Sequence, residues 1–457
     1  MPPPASTRAA MSTAATTRFG IMAAHPAKSR SPKANRPPLR VNPDFGVVCH
    51  CLGPLVTMTG HDVRMAKAVD VPVVDVIPRS PIGKTRLFFS RHWHRGAPGQ
   101  PTPDWVLRFC YGMWLAAFAF KLVGSSWDMS WHFMWLRDDL APPHLINTVG
   151  TVIIVVLVAI HSYTGLGADK TSLRLMQIGL LTFLVAAPLD VINHRVNGLD
   201  LTAWSPSHMM LYLGTGIMQA GVLLGWYRFA PPGRFRTGVL LALWAFFLEN
   251  TFFPNGQQEY GILGLRAWER GAPEAEPSLL SFAANQIGHP VDRTAILHFT
   301  MPIPEWVYPL WGIGVMALIL ALARQTLGRR WSATFVALAY IAYRAVMWPL
   351  LLGMGFPVST IPFYLLAVGL AVDLAFTIGR GHGLLTAGAG ALLVTAFGYG
   401  ALWLQSQFRP WILGDAHTES APPVEYWTAG VALVAVFVLW AAAGPVTRRL
   451  AARRVSV

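Results

Sequence analysis

The chain has 457 residues, of which 53% are hydrophobic and only 13% are charged, and its formal net charge is +14. Soluble domains carry roughly a quarter charged residues, so the composition excludes an ordinary soluble protein. The basic residues lie in the N-terminal region, in short loops and at the C-terminus, which is the positive-inside distribution of a membrane protein, and no nucleic-acid partner is expected.

Residues 1–104 are predicted to form a basic, largely disordered cytoplasmic N-terminal region. Most of this region is rich in Pro, Ala, Ser, Thr and Arg and has little apolar periodicity, so it buries too little surface to fold. We expect native translation to start further in, at Met65, which N-terminal sequencing of the natural product would test.

From residue 105 onward, apolar stretches recur that are long enough to cross a bilayer. Lipid offers no hydrogen-bond partners, so the spans must be helices or a closed barrel, and continuous apolar runs exclude the barrel. The sequence therefore predicts an all-α, polytopic membrane bundle of about ten transmembrane helices. The predicted spans are 105–125, 144–164, 173–192, 208–228, 237–253, 305–324, 331–351, 358–379, 383–405 and 427–444.

Basic turns alternate with acidic turns along these spans. The positive-inside rule then predicts a multi-pass protein of the cytoplasmic (inner) membrane with both termini in the cytoplasm. Residues 231–446 are predicted to add further helices to a first membrane domain, 105–230, and to include an outer cap loop at about 254–304. Residues 447–457 form a basic cytoplasmic tail.

Two related polar motifs follow the first and third spans, at the outer face. Both read Asp-x3-His-x5-Asp and end on Pro-x-His. Corresponding residues are 62 positions apart in the first part of the motif and 64 apart in the last part, which indicates a duplicated helical hairpin. The copies consist of Asp128, His132, Asp138, Pro142 and His144, and of Asp190, His194, Asp200, Pro206 and His208.

This spacing predicts a metal site in each hairpin. Asp and His four residues apart share one face of a helix, and the last His follows a proline that favours the first turn of the returning helix. Two imidazoles and a carboxylate suit copper, iron or zinc. The predicted metal ligands are Asp128, His132, His144, Asp190, His194 and His208.

Other polar and aromatic residues near the motifs are given supporting roles. Arg137 with Asp138, and Arg195 with Asp200, are predicted to orient the ligands from outside the metal's own coordination. Three tryptophans are predicted to form a wall of a small apolar substrate pocket: Trp127, Trp131 and Trp204. Glu249 and Asn250, at the end of the fifth span, are interpreted as ordinary interfacial polar groups.

The first motif resembles a known copper-site segment. Its Asp-x-x-Trp-His, Arg-Asp and Pro-x-His elements are similar to those in one membrane subunit of the copper membrane monooxygenases, the particulate methane and ammonia monooxygenase family, which oxidise methane, ammonia and short alkanes. By position, Asp128, His132 and His144 match that family's copper ligands. The spacing before His144 is one residue shorter here, and the resemblance covers roughly residues 105–230.

The second motif resembles the other metal site of the same monooxygenase subunit. His194 and His208 match its two histidines, but Asp190 stands where the family has asparagine, which adds negative charge to this site. The chain is longer than that family's subunit, and beyond Arg228 it departs from the family.

The resemblance implies a copper cofactor and, as a function, O2-dependent hydroxylation of a small apolar substrate or of ammonia. It also implies a multi-subunit complex with other membrane subunits, or a homo-oligomer, among membrane lipids. No catalytic residue is assigned.

Two alternatives remain open from the residues themselves. The first is a metal-binding membrane transporter, which is favoured by Arg344 and Asp373 inside neighbouring spans. These two residues are predicted to pair with each other. The second alternative is a zinc-dependent membrane hydrolase whose acidic outer loop binds the substrate.

Overall fold

The structure is a computed structural model that describes residues 80–136, 140–197, 202–380, 383–407, 422 and 424–452. All secondary structure within these segments is helical, which confirms the predicted all-α membrane bundle. The helices are α1 Pro81–Arg91, α2 Asp104–His132, α3 Pro142–Thr164, α4 Lys170–Asn197, α5 Pro206–Phe229, α6 Arg234–Phe252, α7 Gly256–Glu269, α8 Pro277–Gln286, α9 Arg293–Thr300, α10 Val307–Pro309, α11 Met316–Leu327, α12 Ser332–Gly353, α13 Tyr364–Gly379, α14 Gly383–Gln407 and α15 Thr428–Ala452.

Eight helical segments in the described part of the chain are long and apolar enough to cross a membrane. Four of them are α2, α3, α4 and α5. The others are α6 continued into α7, α10 continued through a π-helical segment into α11, α12, and α14. Helices α13 and α15 are also apolar but have shorter apolar lengths. Each of the ten predicted spans overlaps one of these ten segments, of which eight have the length and apolarity of a membrane span.

Helix α3 shows how the bundle divides its surface between lipid and protein. Val152 and Val156 are more than half exposed, whereas Ile154 and Leu157 are buried against the rest of the bundle. Apolar side chains on the exposed face of a soluble protein would promote aggregation. In a bilayer the same side chains lie among lipid tails, as a membrane helix requires.

Residues 80–104, which belong to the region predicted to be largely disordered, include α1. Ser80 caps this helix by accepting a hydrogen bond from the backbone N–H of Gly83, and Phe88 is buried. The rest of the predicted region, residues 1–79 with Met65, lies outside the described residues.

The predicted cap loop is largely helical. Helices α7, α8 and α9 lie between α6 and α10, and we call residues 253–305 the cap segment. The backbone N–H of Glu276 donates to the carbonyl oxygen of Met134, and the Glu276 carboxylate accepts from the backbone N–H of Leu136. Phe133, just after α2, stacks on Tyr260 of the cap segment. The cap segment is therefore fixed to the end of α2.

The predicted pairing of Arg344 with Asp373 is wrong. Arg344 instead bonds Glu259 at 2.8 Å, and Glu249 lies 3.7 Å away on its other side. Asp373 pairs with Arg324 at 3.0 Å. Both charges are buried and both have partners, as ionisable groups at membrane depth require, but the partners come from other helices than the prediction assumed.

Candidate metal centre

The first predicted cluster comes together at the junction of α2 and α3. Asp128 and His132 occupy the last turns of α2 and share one face of it, while His144 lies in the first turn of α3, after Pro142 and Pro143. One potential ligand atom from each of the three side chains lies within 4.8 Å of the other two. Nε2 of His144 is 2.8 Å, and Nε2 of His132 is 3.5 Å, from Oδ1 of Asp128.

These donors fit a transition-metal ion. Donor atoms around one four-coordinate ion with bonds of roughly 2.0–2.1 Å lie about 3.3 Å apart, close to the distances found here. Oδ1 of Asp128 is buried and accepts no hydrogen bond of good geometry from the residues that the structure describes. A buried oxygen in that condition is costly unless another group, such as a cation, satisfies it.

The α2–α3 hairpin is held closely packed below the cluster by a glycine. A Cβ atom on Gly150 of α3 would lie 2.7 Å from the carbonyl oxygen of Ala117 on α2. The corresponding residues of the second hairpin, 64 and 62 positions later, are Gly214 and Gly179. A Cβ on Gly214 would lie 2.9 Å from the carbonyl oxygen of Gly179. Both hairpins therefore have a close helix approach at the same place.

The second predicted cluster is described in part. Nε2 of His208, at the start of α5, lies 3.3 Å from Oδ1 of Asp190 on α4. Nδ1 of His208 lies 2.8 Å from the carbonyl oxygen of Thr202, which can only accept, so a proton on Nδ1 would donate to it. Such an outer contact fixes the ring and directs Nε2 toward Asp190.

Several predicted residues fall outside the described part of the chain. Arg137, Asp138 and Asp200 lie outside the described residues, and so do the side chains of His194 and Arg195 on α4. Their predicted roles, as a metal ligand for His194 and as orienting groups for the others, stay predictions.

A single cavity of about 440 Å³ joins the two clusters. Asp128, His132 and His144 line it from the first hairpin, and Asp190 and His208 from the second. Phe253, Gln257 and Phe299 of the cap segment also line it. Its volume lies within the range of small-molecule sites.

Corresponding positions of the two hairpins face this cavity. Residues on the first helix of each hairpin are related by the offset of 62, and those on the second helix by the offset of 64. The pairs are Lys121/Phe183, Leu122/Leu184, Ser125/Ala187, Asp128/Asp190, Met129/Val191, His144/His208, Asn147/Leu211, Thr148/Tyr212 and Thr151/Thr215. This is the arrangement expected of parallel repeats that face each other across an axis along the membrane normal. It adds structural support to the duplication inferred from the motifs.

The three tryptophans predicted to wall the pocket do not line this cavity. Trp127 and Trp131 pack against the ring of Phe356, and Trp204 packs against Trp311. A helix presents only one face to the cavity, and Asp128 and His132 occupy that face of α2. Trp127 and Trp131, each one position before these residues, lie on the side of α2 that faces Phe356.

Some cavity residues were missed or interpreted differently from the sequence. Lys121 and Asn147 line the cavity below the first cluster, and so do Glu249 and Asn250, which the sequence analysis interpreted as ordinary interfacial groups. The offsets of 62 and 64 provided a signal for the first two. When these offsets are applied to Lys121 and Asn147, the corresponding residues of the second hairpin are the apolar Phe183 and Leu211.

Comparison of the chain with protein-family models, with curated proteins and with solved structures finds no match.

Proposed function

We propose that this protein is a membrane metalloprotein in which Asp128, His132 and His144 bind a transition-metal ion. The observation that carries the proposal is the convergence of three donor atoms from two helices within 4.8 Å of one another, at a half-buried position. Ionisable groups gathered in this way at membrane depth are costly and are usually functional. Asp190, His194 and His208 are the proposed ligands of a second ion.

The resemblance to the copper membrane monooxygenases supports copper as the metal. When bound, copper would supply the one-electron and O2 chemistry that protein side chains lack. Neutral imidazoles of His132 and His144 would hold the ion, and the Asp128 carboxylate would offset part of its charge. The proposed activity is O2-dependent hydroxylation of a small molecule held in the cavity, within a multi-subunit complex or homo-oligomer of the inner membrane.

A zinc-dependent hydrolase is the second candidate. An Asp, His, His set provides three protein ligands, which is the number found in catalytic zinc sites that keep one position for water. Copper in the purified protein favours oxidation, whereas zinc favours hydrolysis. The charged residues Arg344 and Asp373 inside the spans favoured a transporter. Their support for that function is weaker in the structure, because both are ion-paired within the bundle.

The experiment is elemental analysis of the full chain in mild detergent after loading with copper. We expect copper in the wild type and a lower copper content in His132→Ala, because loss of a ligand weakens binding more than loss of an outer contact, which already lowers metal affinity by roughly 10–100-fold. His289→Ala is the matched control, since His289 lies on the cap segment and contacts Asp292. Background metal in the loaded wild type, or equal loss in both variants, would refute the proposal.

A further inference from the structure

Lys121 is a buried basic residue in the wall of the cavity. It lies on α2, and its side chain is only 5% exposed to solvent. It lies seven positions before Asp128, so it is two helical turns, or about 10 Å along the axis, below the proposed metal ligands on nearly the same helix face. One cavity therefore contains both a metal-ligand cluster and, deeper in the membrane, an ammonium group.

The described contacts of the Lys121 amine are all with neutral groups. Nζ donates to Oδ1 of Asn147 at 2.7 Å and lies 3.4 Å from Oγ1 of Thr151. It also lies 3.7 Å from the ring centroid of Phe183. These neutral groups orient the ammonium, but no carboxylate in the described part of the chain forms an ion pair with it. Buried lysines usually have such a pair.

Comparison of the two hairpins shows that the polar side chains around Lys121 are present in the first hairpin and not at the corresponding positions of the second. The residues that correspond to Lys121, Ser125 and Asn147 are Phe183, Ala187 and Leu211. On the first hairpin the polar groups are linked, since Nδ2 of Asn147 donates to Ser125 at 3.4 Å. At these three positions the duplicated scaffold thus presents a basic, hydrogen-bonding surface opposite an apolar one.

The cavity also contains acidic groups, and their positions limit where an anion can bind. Asp128 and Asp190 belong to the two proposed metal sites at the outer end. Glu249 lines the cavity too, and Arg344 lies 3.7 Å from its carboxylate. Among the described residues, no carboxylate forms an ion pair with Lys121, and its aromatic neighbour is Phe183.

We propose that the cavity binds a small monocarboxylate, with its carboxylate at Lys121 and its apolar body against the wall formed by the second hairpin. A carboxylate at this position would pair with the ammonium in place of the weak Thr151 and ring contacts. Its apolar end would extend toward Asp128, His132 and His144. The further statement that the metal acts on this ligand rests on the proposed function.

The test is calorimetric titration of the full chain in lipid nanodiscs with octanoate and with its neutral counterpart, octanamide. Octanoate is expected to bind more tightly than octanamide to the wild type. Lys121→Met is expected to weaken octanoate binding by roughly tenfold to a hundredfold, since it removes a charge-assisted hydrogen bond, and to leave octanamide binding nearly unchanged. Lys121→Arg keeps the charge and should retain most of the preference for octanoate.

Two outcomes would overturn the proposal. One is equal binding of octanoate and octanamide to the wild type, which needs no variant to be folded. The other is a preference for octanoate that persists in a folded Lys121→Met protein. Titration of His132→Ala separates this proposal from the proposed function. Octanoate binding that survives in this variant supports the carboxylate site even where no metal binds, and metal binding without octanoate binding refutes the carboxylate site alone.

Discussion

At the scale of single residues, Arg344 joins two buried carboxylates. Its guanidinium bonds Glu259 and the hydroxyl of Ser359, and it lies beside Glu249. Glu259 is fully buried and accepts a further hydrogen bond from Tyr308 at 2.8 Å. Two carboxylates and one guanidinium in a water-excluded position are stable together only while the positive charge is present.

We predict that Arg344→Met strongly destabilises the fold. Removal of one partner leaves uncompensated buried charge, a change that typically lowers stability by about 3–5 kcal/mol. The measurement is the midpoint of thermal unfolding in detergent, together with the monodispersity of the purified protein.

The double variant Arg344→Met/Glu259→Gln provides the control. It removes one of the two buried carboxylates and should recover part of the lost stability. If Arg344→Met unfolds at the wild-type temperature, the guanidinium does not stabilise these carboxylates as described.

The sequence could predict that Arg344 needs an acidic partner but not which one. Glu259 is 85 positions away in sequence and lies on α7, within a segment that was expected to be a loop. The local spacing of Asp128 and His132, in contrast, is enough to put both on one helix face. Residue-scale prediction therefore succeeded where a single helix fixes the geometry, and failed where packing between distant helices fixes it.

At the scale of elements, the two metal-ligand hairpins depend on close helix packing. Gly150 on α3 and Gly214 on α5 occupy corresponding positions, and each lies against the backbone of the preceding helix. Small residues at such crossings let membrane helices approach closely. Because His144 lies on α3 and Asp128 on α2, the distance between these helices sets the distance between the ligands.

We predict that Gly150→Ala separates α2 from α3 and weakens metal binding. The added Cβ would meet the backbone of Ala117, which cannot move aside as a side chain can, and overpacking of this kind costs about 1–3 kcal/mol. Metal content and the thermal unfolding midpoint should both fall.

Gly112→Ala is the matched control on α2. A Cβ at Gly112 has no neighbour within 4 Å among the described residues, and alanine favours a helix over glycine. Gly112→Ala should therefore keep both the metal and the unfolding midpoint. A Gly150→Ala protein with unchanged metal content would show that the helix spacing does not control the site.

The duplicated motif allowed the two hairpins to be predicted from the sequence, because a repeated spacing is visible without any structure. The starts of α3 and α5 were also nearly predictable, since Pro143 and Pro206 were expected to open these helices, which begin at Pro142 and Pro206. The helices of the cap segment were not predicted. They are short and carry buried polar groups such as Gln257 and Gln258, so hydropathy gives no signal for them.

At the scale of the whole molecule, the described helices place the two clusters and the cap segment at one end of the bundle. Helix α6 runs into the cap segment, and α10 leaves it, so the loop between α11 and α12 lies at the opposite end. Val291 in the cap segment and Arg329 in the opposite loop are both exposed.

We predict from the positive-inside rule that these two ends lie on opposite sides of the membrane. In a variant with all cysteines replaced by serine, Val291→Cys should react with a membrane-impermeant maleimide in intact cells. Arg329→Cys should react only after the cells are permeabilised.

The reverse pattern, in which Arg329→Cys is labelled in intact cells and Val291→Cys is not, would place the proposed metal sites on the cytoplasmic side. Labelling of both positions after permeabilisation is the control for their reactivity.

The shared cavity between the hairpins has a consequence for how such a molecule could have arisen. A single hairpin of the α2–α3 type has only one wall of the cavity and cannot enclose it. An ancestor that carried one copy would have had to associate with a second, identical chain, and both walls would then have carried the same side chains. Two copies within one chain are free of that constraint. One half can carry a lysine where the other carries a phenylalanine, a difference that no symmetric dimer can encode.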